Sequence, residues 1–311
     1  MEKNELNEHA RGGTELMQER LHKTLPKELL DKFQIIPSRV RDLTLNKKHI
    51  LWLHDLPNDP ESQHLKDSIK RKRFDKIVAV SDWQMQLYNL VLGLPYKECV
   101  VIKNGIYPID IQEKKFDGTV RIIYHTTPHR GLELLVPVFE ILAEKYDNIV
   151  LDVFSSFSIY GWSQRDEPYK QLFDRCKAHP KINYHGAVSN EQIREELKKS
   201  HIFAYPSIWP ETSCLAAIEA MSAMNMIVCP NYAALPETTA GFANMYQWSE
   251  DNNEHANRFM RVLEETILDI TKNGPDVNRL AFQKRYTDVI YNWEMNISRR
   301  WESLLTQLAA Q

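Results

Sequence analysis

Residues 201 to 231, HIFAYPSIWPETSCLAAIEAMSAMNMIVCPN, decide the fold class of this protein. The stretch begins with a short apolar run, continues through a proline-containing loop into an apolar helix, and ends with a second apolar run. Short apolar runs bounded by turn residues are typical of buried strands. A strand, a helix and another strand in this order predict a parallel sheet with right-handed crossovers.

The same alternation of strands and helices extends along the chain in two series. The first series has four apolar runs: FQII (33–36), HILWLHD (49–55), KIVAVS (76–81) and CVVIKNG (99–105). The second series has five: RIIYHT (121–126), IVLDVFSS (149–156), INYHGA (182–187), HIFAYPS (201–207) and MIVCPN (226–231). The 311 residues are about twice the length of a typical domain. We therefore predict an α/β protein with two Rossmann-like domains, 1–115 and 116–290, joined by a polar linker at 110–119, and a C-terminal helical segment, 291–311.

The composition excludes several classes of protein. Hydrophobic residues make up 43% and charged residues 26% of the chain, as in globular proteins, and the net charge of −3 argues against a general nucleic-acid binder. No apolar run approaches the ~20 residues of a membrane span, and the polar start does not resemble a secretory signal, so we predict a cytoplasmic protein. The four cysteines occur singly without CxxC spacing, which favours neither a zinc site nor a disulfide framework.

Ligands of parallel sheets bind beyond the carboxyl ends of the strands, and the loop after residue 207 carries candidate residues for such a site. Ser213 is the predicted N-cap of the following helix, whose first amides suit a diphosphate. Glu219 lies less than two turns into that helix, where its carboxylate can accept hydrogen bonds from a ribose diol. Glu211 precedes the helix and can face the group beyond the phosphates. From spacing alone, two solvated carboxylates are the more common interpretation.

The segment from Glu211 to Glu219 resembles the glutamate-x7-glutamate motif of the retaining glycosyltransferases of family 4, which have the GT-B fold. Further segments resemble elements of that family in the same order along nearly the whole chain: GGTE (12–15), AVSDWQMQLY (79–88), VVIKNGI (100–106), Arg130-Gly131, HGAVSNEQI (185–193) and Trp293-Glu294. The resemblance implies two Rossmann-like domains that face a cleft, with a reduced N-terminal domain and a C-terminal helix that crosses back to it.

The resemblance also implies an activity. It implies retaining, metal-independent transfer of a sugar from a UDP- or GDP-sugar to an acceptor hydroxyl, in glycan or glycolipid synthesis. Glu219 would bind the ribose, and Arg130 would stabilise the leaving diphosphate. Glu211 and His54 would act as the catalytic pair, the first beside the anomeric carbon and the second on a sugar hydroxyl. The remaining predicted donor-binding residues are Gly13, His125, Val188, Thr212, Ser213, Cys214 and Leu215.

No cofactor or metal is expected, because the nucleotide-sugar is a substrate and its diphosphate charge would be met by a guanidinium and by helix amides. His125 and His129 lie close in sequence beside Arg130, but no third metal ligand accompanies them. Two of the chain's departures from the family concern the donor site and the first sheet. It has His125 and two threonines where the family has an arginine before the residue matched by Arg130. Residues 1 to 10 contain no apolar run, which predicts a gap or a foreign strand at the centre of the first sheet.

Other interpretations remain open from the sequence. A catalytically inactive nucleotide-sugar-binding or scaffold protein of the same fold is the main alternative, and a GT-B epimerase or phosphorylase is another. A basic cluster precedes the strand at 76–81: Lys66, Lys70, Arg71, Lys72 and Arg73. This cluster is either a solvated helix face or a patch that contacts anionic lipid headgroups, in which case the protein would be peripheral at the membrane and its acceptor lipid-linked.

Overall fold

The computed structural model describes residues 12–311. By its internal contacts the chain divides into two compact units. The amino-terminal unit contains Gly13–Tyr107, Glu211–Leu215 and Val289–Gln311. The carboxyl-terminal unit contains Pro108–Pro210 and Ala216–Asp288.

The amino-terminal unit is built on a four-stranded parallel sheet in the order β1-β2-β3-β4. Its strands are β1 Phe33–Pro37, β2 Lys48–Trp52, β3 Lys76–Ala79 and β4 Cys99–Val101. Its helices are α1 Gly13–Thr24, α2 Lys27–Leu30, α3 Ser68–Arg71, α4 Asp82–Leu92 and, from the end of the chain, α12 Ser298–Ala309. The strands consist mostly of apolar residues, so that helices can cover the faces of the sheet.

The end of the chain is an integral part of this unit. Trp293 and Trp301 are fully buried in its core, and the Trp301 ring meets Trp52 edge-on at 4.6 Å. A π-helical turn, Trp293–Ile297, precedes α12. Gly105, just beyond β4, permits this packing, because a Cβ there would lie 2.8 Å from Ile297 Cγ1. The glycine of the asparagine-glycine pair after β4 is therefore explained by close packing of the tail.

The carboxyl-terminal unit is built on a six-stranded parallel sheet in the order β10-β9-β8-β5-β6-β7. Its strands are β5 Val120–Tyr124, β6 Ile149–Val153, β7 Ile182–Tyr184, β8 Ile202–Ala204, β9 Met226–Pro230 and β10 Asn244–Tyr246. Its helices are α5 Leu132–Lys145, α6 Lys170–Ala178, α7 Asn190–Lys199, α8 Leu215–Ser222, α9 Leu235–Thr239, α10 Asn252–Asn273 and α11 Val277–Ile290, with the first residue of α8 and the last two of α11 assigned to the other unit. The reversal of strand order between β5 and β8 creates the kind of switch point at which open α/β sheets bind ligands.

The nine apolar runs all contain strands, and both sheets are parallel as predicted. Strand β10 is not among the predicted strands, because it is a three-residue edge strand without an apolar run of its own. The predicted gap at the centre of the first sheet concerns residues 1–10, which lie outside the described residues. Within residues 12–311, no helix is long and apolar enough to cross a membrane.

Candidate functional site

The carboxyl ends of β5 and β6 carry a cluster of buried polar atoms. Tyr124 and Val153 are paired in the register of the two strands, so the residues that follow them are neighbours. Four side-chain atoms here are buried and have no hydrogen-bond partner among residues 12–311: His125 Nε2, Thr126 Oγ1, His129 Nδ1 and Ser155 Oγ. Because a buried polar atom without a partner is costly, such a cluster indicates a site where a ligand supplies the missing partners.

Both histidines of this cluster are neutral at physiological pH. Burial lowers the pKa of His125 to about 3. Burial, together with the charges of Arg130 and Arg165, lowers the pKa of His129 to about 4. A neutral imidazole has one donor and one acceptor nitrogen, so each ring can donate a hydrogen bond without adding positive charge.

Arg130 lies beside this cluster at the end of a 3₁₀ turn, Pro128–Arg130. Its Nε donates a hydrogen bond of 3.2 Å to Thr127 Oγ1, and its guanidinium lies 5.9 Å from the centre of the Trp209 ring. Gly131 makes this arrangement possible, since its φ is +125° and a Cβ there would lie 2.2 Å from the carbonyl oxygen of Pro206. The loop after β5 is thereby held against the loop after β8.

Glu219 is buried on α8 and is held by two side chains of α7. Asn190 Nδ2 donates to both carboxylate oxygens, at 3.0 Å and 3.3 Å, and Arg194 Nη1 lies 3.4 Å from Oε1. Neither partner is among the residues predicted from the sequence. Their spacing of four residues places them on one face of α7, but only the tertiary structure shows that this face meets Glu219. The carboxylate is therefore fixed in orientation by donors from the neighbouring helix.

Val188 lines a groove beyond β6 and β7 that has one aromatic side. Phe154 and His185, which stack on each other at 4.2 Å with an interplanar angle of 7°, lie on that side. The rest of the lining comes from α7: Glu191, Gln192, Glu195 and Glu196. His185 Nε2 lies 3.0 Å from Asp152 Oδ1, which fixes the imidazole ring. One flat aromatic side with polar groups around it suits an aromatic heterocycle.

His54 follows β2 in the amino-terminal unit. Its backbone N–H donates to Ser38 Oγ at 2.8 Å, and its carbonyl accepts a hydrogen bond of 3.0 Å from Thr212 Oγ1. Its Nε2 is buried and has no partner among the described residues, and burial lowers its pKa to about 3. The ring packs 4.8 Å from Trp52 and is neutral. His54 therefore has an unused ring nitrogen in addition to its packing contact.

The other predicted residues of this unit lie around the start of α8. Glu211 and Cys214 are buried, and Gly13, the first residue of α1, packs against Leu215, whose Cδ1 would lie 3.0 Å from a Cβ at Gly13. The assignment of Ser213 as N-cap was wrong, because α8 begins at Leu215 and the backbone bends at Thr212 and Ser213. Cys214 occupies the position directly before the helix.

One of the five residues in the basic cluster at 66–73 is not on the surface. Arg71 is buried, where its Nε contacts Glu98 at 2.9 Å and its Nη1 donates to the carbonyl of Leu65 at 2.8 Å. Its role is to hold the short helix α3, and including it in a lipid-binding patch was wrong. The four remaining residues are exposed: Lys66, Lys70, Lys72 and Arg73. They do not share one helix face, because α3 has only four residues.

No three His, Cys, Asp or Glu side chains within residues 12–311 are grouped as metal ligands would be. The arrangement instead offers guanidinium groups, neutral imidazoles and hydroxyls in the carboxyl-terminal unit, together with one fixed carboxylate. These groups match the chemistry of a ligand that carries phosphate and hydroxyl groups.

Comparison with known proteins identifies the family. Residues 110–271, just over half of the chain, match the family described as "Glycosyl transferases group 1". An uncharacterized glycosyltransferase of Haemophilus influenzae (strain ATCC 51907 / DSM 11121 / KW20 / Rd) is 23% identical over 269 residues, which are 85% of this chain and 71% of that protein.

Solved structures show the same fold at low sequence identity. A glycosyltransferase from Rickettsia africae ESF-5 has a TM-score of 0.68 and 18% identity, with 99% of this chain and 84% of that chain covered. Anabaena Alr3699/HepE, in complex with UDP and glucose, has a TM-score of 0.64 and 14% identity, with 84% and 72% covered. The two parallel sheets and these neighbours show the GT-B fold. The chain therefore belongs to the glycosyl transferases group 1 family.

Proposed function

We propose that this protein transfers a sugar from a UDP- or GDP-sugar to an acceptor hydroxyl, with retention of configuration and without a metal ion. The observation that supports it best is the cluster of unpartnered buried atoms at the ends of β5 and β6, beside the guanidinium of Arg130. These donors suit a leaving diphosphate, whose negative charge grows as the glycosidic bond breaks. The transfer itself is the activity of the family to which the chain belongs.

Each part of the donor has a proposed binding group. Arg130 and the neutral ring of His125 donate to the diphosphate, and Glu219 accepts from the ribose hydroxyls. Asn190 and Arg194 hold the carboxylate of Glu219 in place, so little side-chain entropy is lost on binding. The groove at Val188 holds the base. UDP is present in the complex of HepE, which supports the proposal of a nucleoside diphosphate here.

Glu211 and His54 are proposed to act on the donor sugar. The carboxylate of Glu211 would stabilise positive charge at the anomeric carbon, and the neutral ring of His54 would hydrogen-bond a sugar hydroxyl. Replacing Glu211 with Gln keeps the size of the side chain and removes its charge. We expect this variant to lose transfer by about 10²- to 10³-fold while it retains nucleotide binding.

The first experiment is thermal stabilisation against UDP-, GDP- and ADP-sugars, followed by an assay of free nucleotide release. A donor at ~100 times its dissociation constant should stabilise the native state by about 2.7 kcal/mol. Stabilisation with release supports the transferase and identifies the donor. Stabilisation without release, across a panel of acceptors, would instead support the inactive nucleotide-sugar-binding protein.

Two further measurements address the stereochemistry and the metal. NMR of the first product formed distinguishes retention from inversion at the anomeric carbon, and an inverted product would contradict the proposal. Turnover in excess EDTA should equal turnover without it, because a guanidinium and helix amides meet the diphosphate charge. Loss of activity that Mg²⁺ or Mn²⁺ restores would show that a metal is required.

A further inference from the structure

The segment that follows β6 holds an arginine close to the candidate donor site. It contains two 3₁₀ turns, Phe157–Tyr160 and Ser163–Tyr169. The carboxylate of Asp166 ties the second turn to the end of the strand, because it accepts hydrogen bonds from the backbone N–H of Phe157, at 2.8 Å, and from the Ser156 hydroxyl. The position of the neighbouring Arg165 is thereby fixed relative to the sheet.

Arg165 and Arg130 are connected through three aromatic rings, which we call the ring cluster: Trp209, His129 and Phe157. The His129 ring stacks on Phe157 at 5.2 Å and meets Trp209 edge-on at 5.0 Å. Arg130 lies 5.9 Å from the Trp209 ring centre, and Arg165 lies 5.9 Å from that of Phe157. Both guanidinium groups lower the pKa of His129, which agrees with their lying on the same side of the sheet end.

Arg165 is held in a way that leaves its donors available. Its guanidinium lies 4.6 Å from the Trp162 ring centre and is exposed. The guanidinium makes no hydrogen bond or ion pair with any of residues 12–311. A guanidinium that packs on an aromatic face keeps its N–H groups, which point outward in its own plane, available for an oxyanion.

We propose that Arg165 is a second cationic contact for the diphosphate of the nucleotide-sugar donor, acting together with Arg130 across the ring cluster. This inference rests on the proposed function. The sequence lacks an arginine shortly before Arg130, and the loop after the next strand supplies one. Two guanidinium groups match two phosphates. The His129 ring packs against both of the rings on which they lie, and its buried Nδ1 has no partner among the described residues.

The test measures binding of inorganic pyrophosphate and of UDP, GDP and ADP by calorimetry to the full chain. We expect Arg165→Gln to weaken pyrophosphate and the bound nucleoside diphosphate by about 10-fold, as for a lost charge-assisted hydrogen bond. Arg165→Lys should retain part of the affinity. Arg261→Gln is the matched control, because it removes the same charge from an exposed position on α10.

A direct phosphate contact predicts that the substitution weakens diphosphate binding without changing the stability of the fold. The Arg165→Gln protein should unfold within about 2 °C of the wild type without ligand, since an exposed cation–π contact contributes little stability. Its affinity for the uncharged nucleoside should be unchanged. The proposal is overturned if Arg165→Gln binds pyrophosphate and nucleoside diphosphate as tightly as Arg261→Gln, or if the wild type binds none of these probes.

The proposed transferase function and the proposed role of Arg165 can be contradicted independently of each other. If no donor and acceptor pair gives transfer while Arg165→Gln still weakens pyrophosphate, the transferase proposal is wrong and the phosphate contact stands. If transfer occurs and Arg165→Gln has no effect on diphosphate binding, only the role of Arg165 is wrong. Sugar transfer and diphosphate binding, measured together, therefore distinguish an inactive binding protein from an incorrect assignment of Arg165.

Discussion

Gly131 is the residue whose backbone brings the loops after β5 and β8 together. Its φ of +125° is in a region that L-residues avoid, and the Pro206 carbonyl occupies the place of a side chain. The neighbouring Arg130 depends on this contact for its position beside Trp209. The absence of a side chain at Gly131 thus determines where the side chain of Arg130 lies.

We expect Gly131→Ala to destabilise the protein by about 2 kcal/mol or more, because the new Cβ meets backbone as well as an unfavourable φ. Thermal or urea unfolding measures the change. Gly274→Ala is the control, since Gly274 also has a positive φ, +73°, but nothing lies within 4 Å of its Cβ position. Equal losses for the two variants would show that the contact with Pro206 contributes nothing.

His125 gives the protein a sensitivity to acid. Its pKa is about 3 when folded and about 6.5 when unfolded, so between these values the unfolded state binds more protons. Above about pH 6.5 the ring is neutral in both states and does not lower the free energy of unfolding. As the pH decreases below that value the free energy of unfolding falls, and at about pH 5 it is lower by about 2 kcal/mol.

His125→Gln should therefore lose less stability than the wild type between about pH 8 and about pH 5 in urea unfolding. The difference between the two pH values is the readout, because the substitution itself changes packing. His22→Gln, at an exposed position of α1, is the control and should follow the wild type. An unchanged pH dependence in His125→Gln would show that its ring does not resist protonation.

Helices α7 and α8 meet through one buried carboxylate. The start of α7 is fixed by a capping box, in which Ser189 and Gln192 bond each other's backbone. This places Asn190 and Arg194 against Glu219, the fifth residue of the eight-residue helix α8. The contact orients a proposed ribose ligand and also joins two elements of the carboxyl-terminal unit.

We expect Arg194→Met to destabilise the fold by about 1 to 2 kcal/mol, because it leaves the buried charge of Glu219 with fewer partners. Adding Glu219→Gln should recover part of that loss, as chemical unfolding of both single variants and the double variant would show. Additive losses would contradict a direct interaction. Both variants containing Glu219→Gln should also bind nucleotide more weakly than the wild type.

At the scale of the whole molecule, the chain passes between its two units more than once. The amino-terminal unit takes in both Glu211–Leu215 and the tail from Val289. The predicted boundaries at 115 and 290 stay predictions, because a division by contacts does not test whether either unit folds alone. The contact with lipid headgroups is likewise a prediction that now concerns four exposed residues.

If those four residues bind lipid, the protein should sediment with vesicles that contain phosphatidylserine, and less so as salt increases. Replacing Lys66, Lys70, Lys72 and Arg73 with Glu should abolish sedimentation. Arg71 is left unchanged because it is buried and holds α3. Equal sedimentation of the variant and the wild type would favour a solvated surface.

The sequence by itself determined the fold class and the order of the elements. Strands of a parallel sheet that is covered by helices are rich in apolar residues, so nine of the strands in the described part of the chain are visible as apolar runs, whereas the three-residue strand β10 is not. Short motifs could also be recognised from the sequence, because their residues are close together along the chain. These are the segment from Glu211 to Glu219 and the pair Arg130-Gly131.

Only the tertiary structure decided which side chains meet. It brought Asn190 and Arg194 to Glu219, connected Arg165 to Arg130 through the ring cluster, and buried Arg71. The physical reason is that strand order is not chain order. Residues far apart in sequence become neighbours at the carboxyl end of a sheet, and burial then sets their charge and leaves some polar atoms without partners.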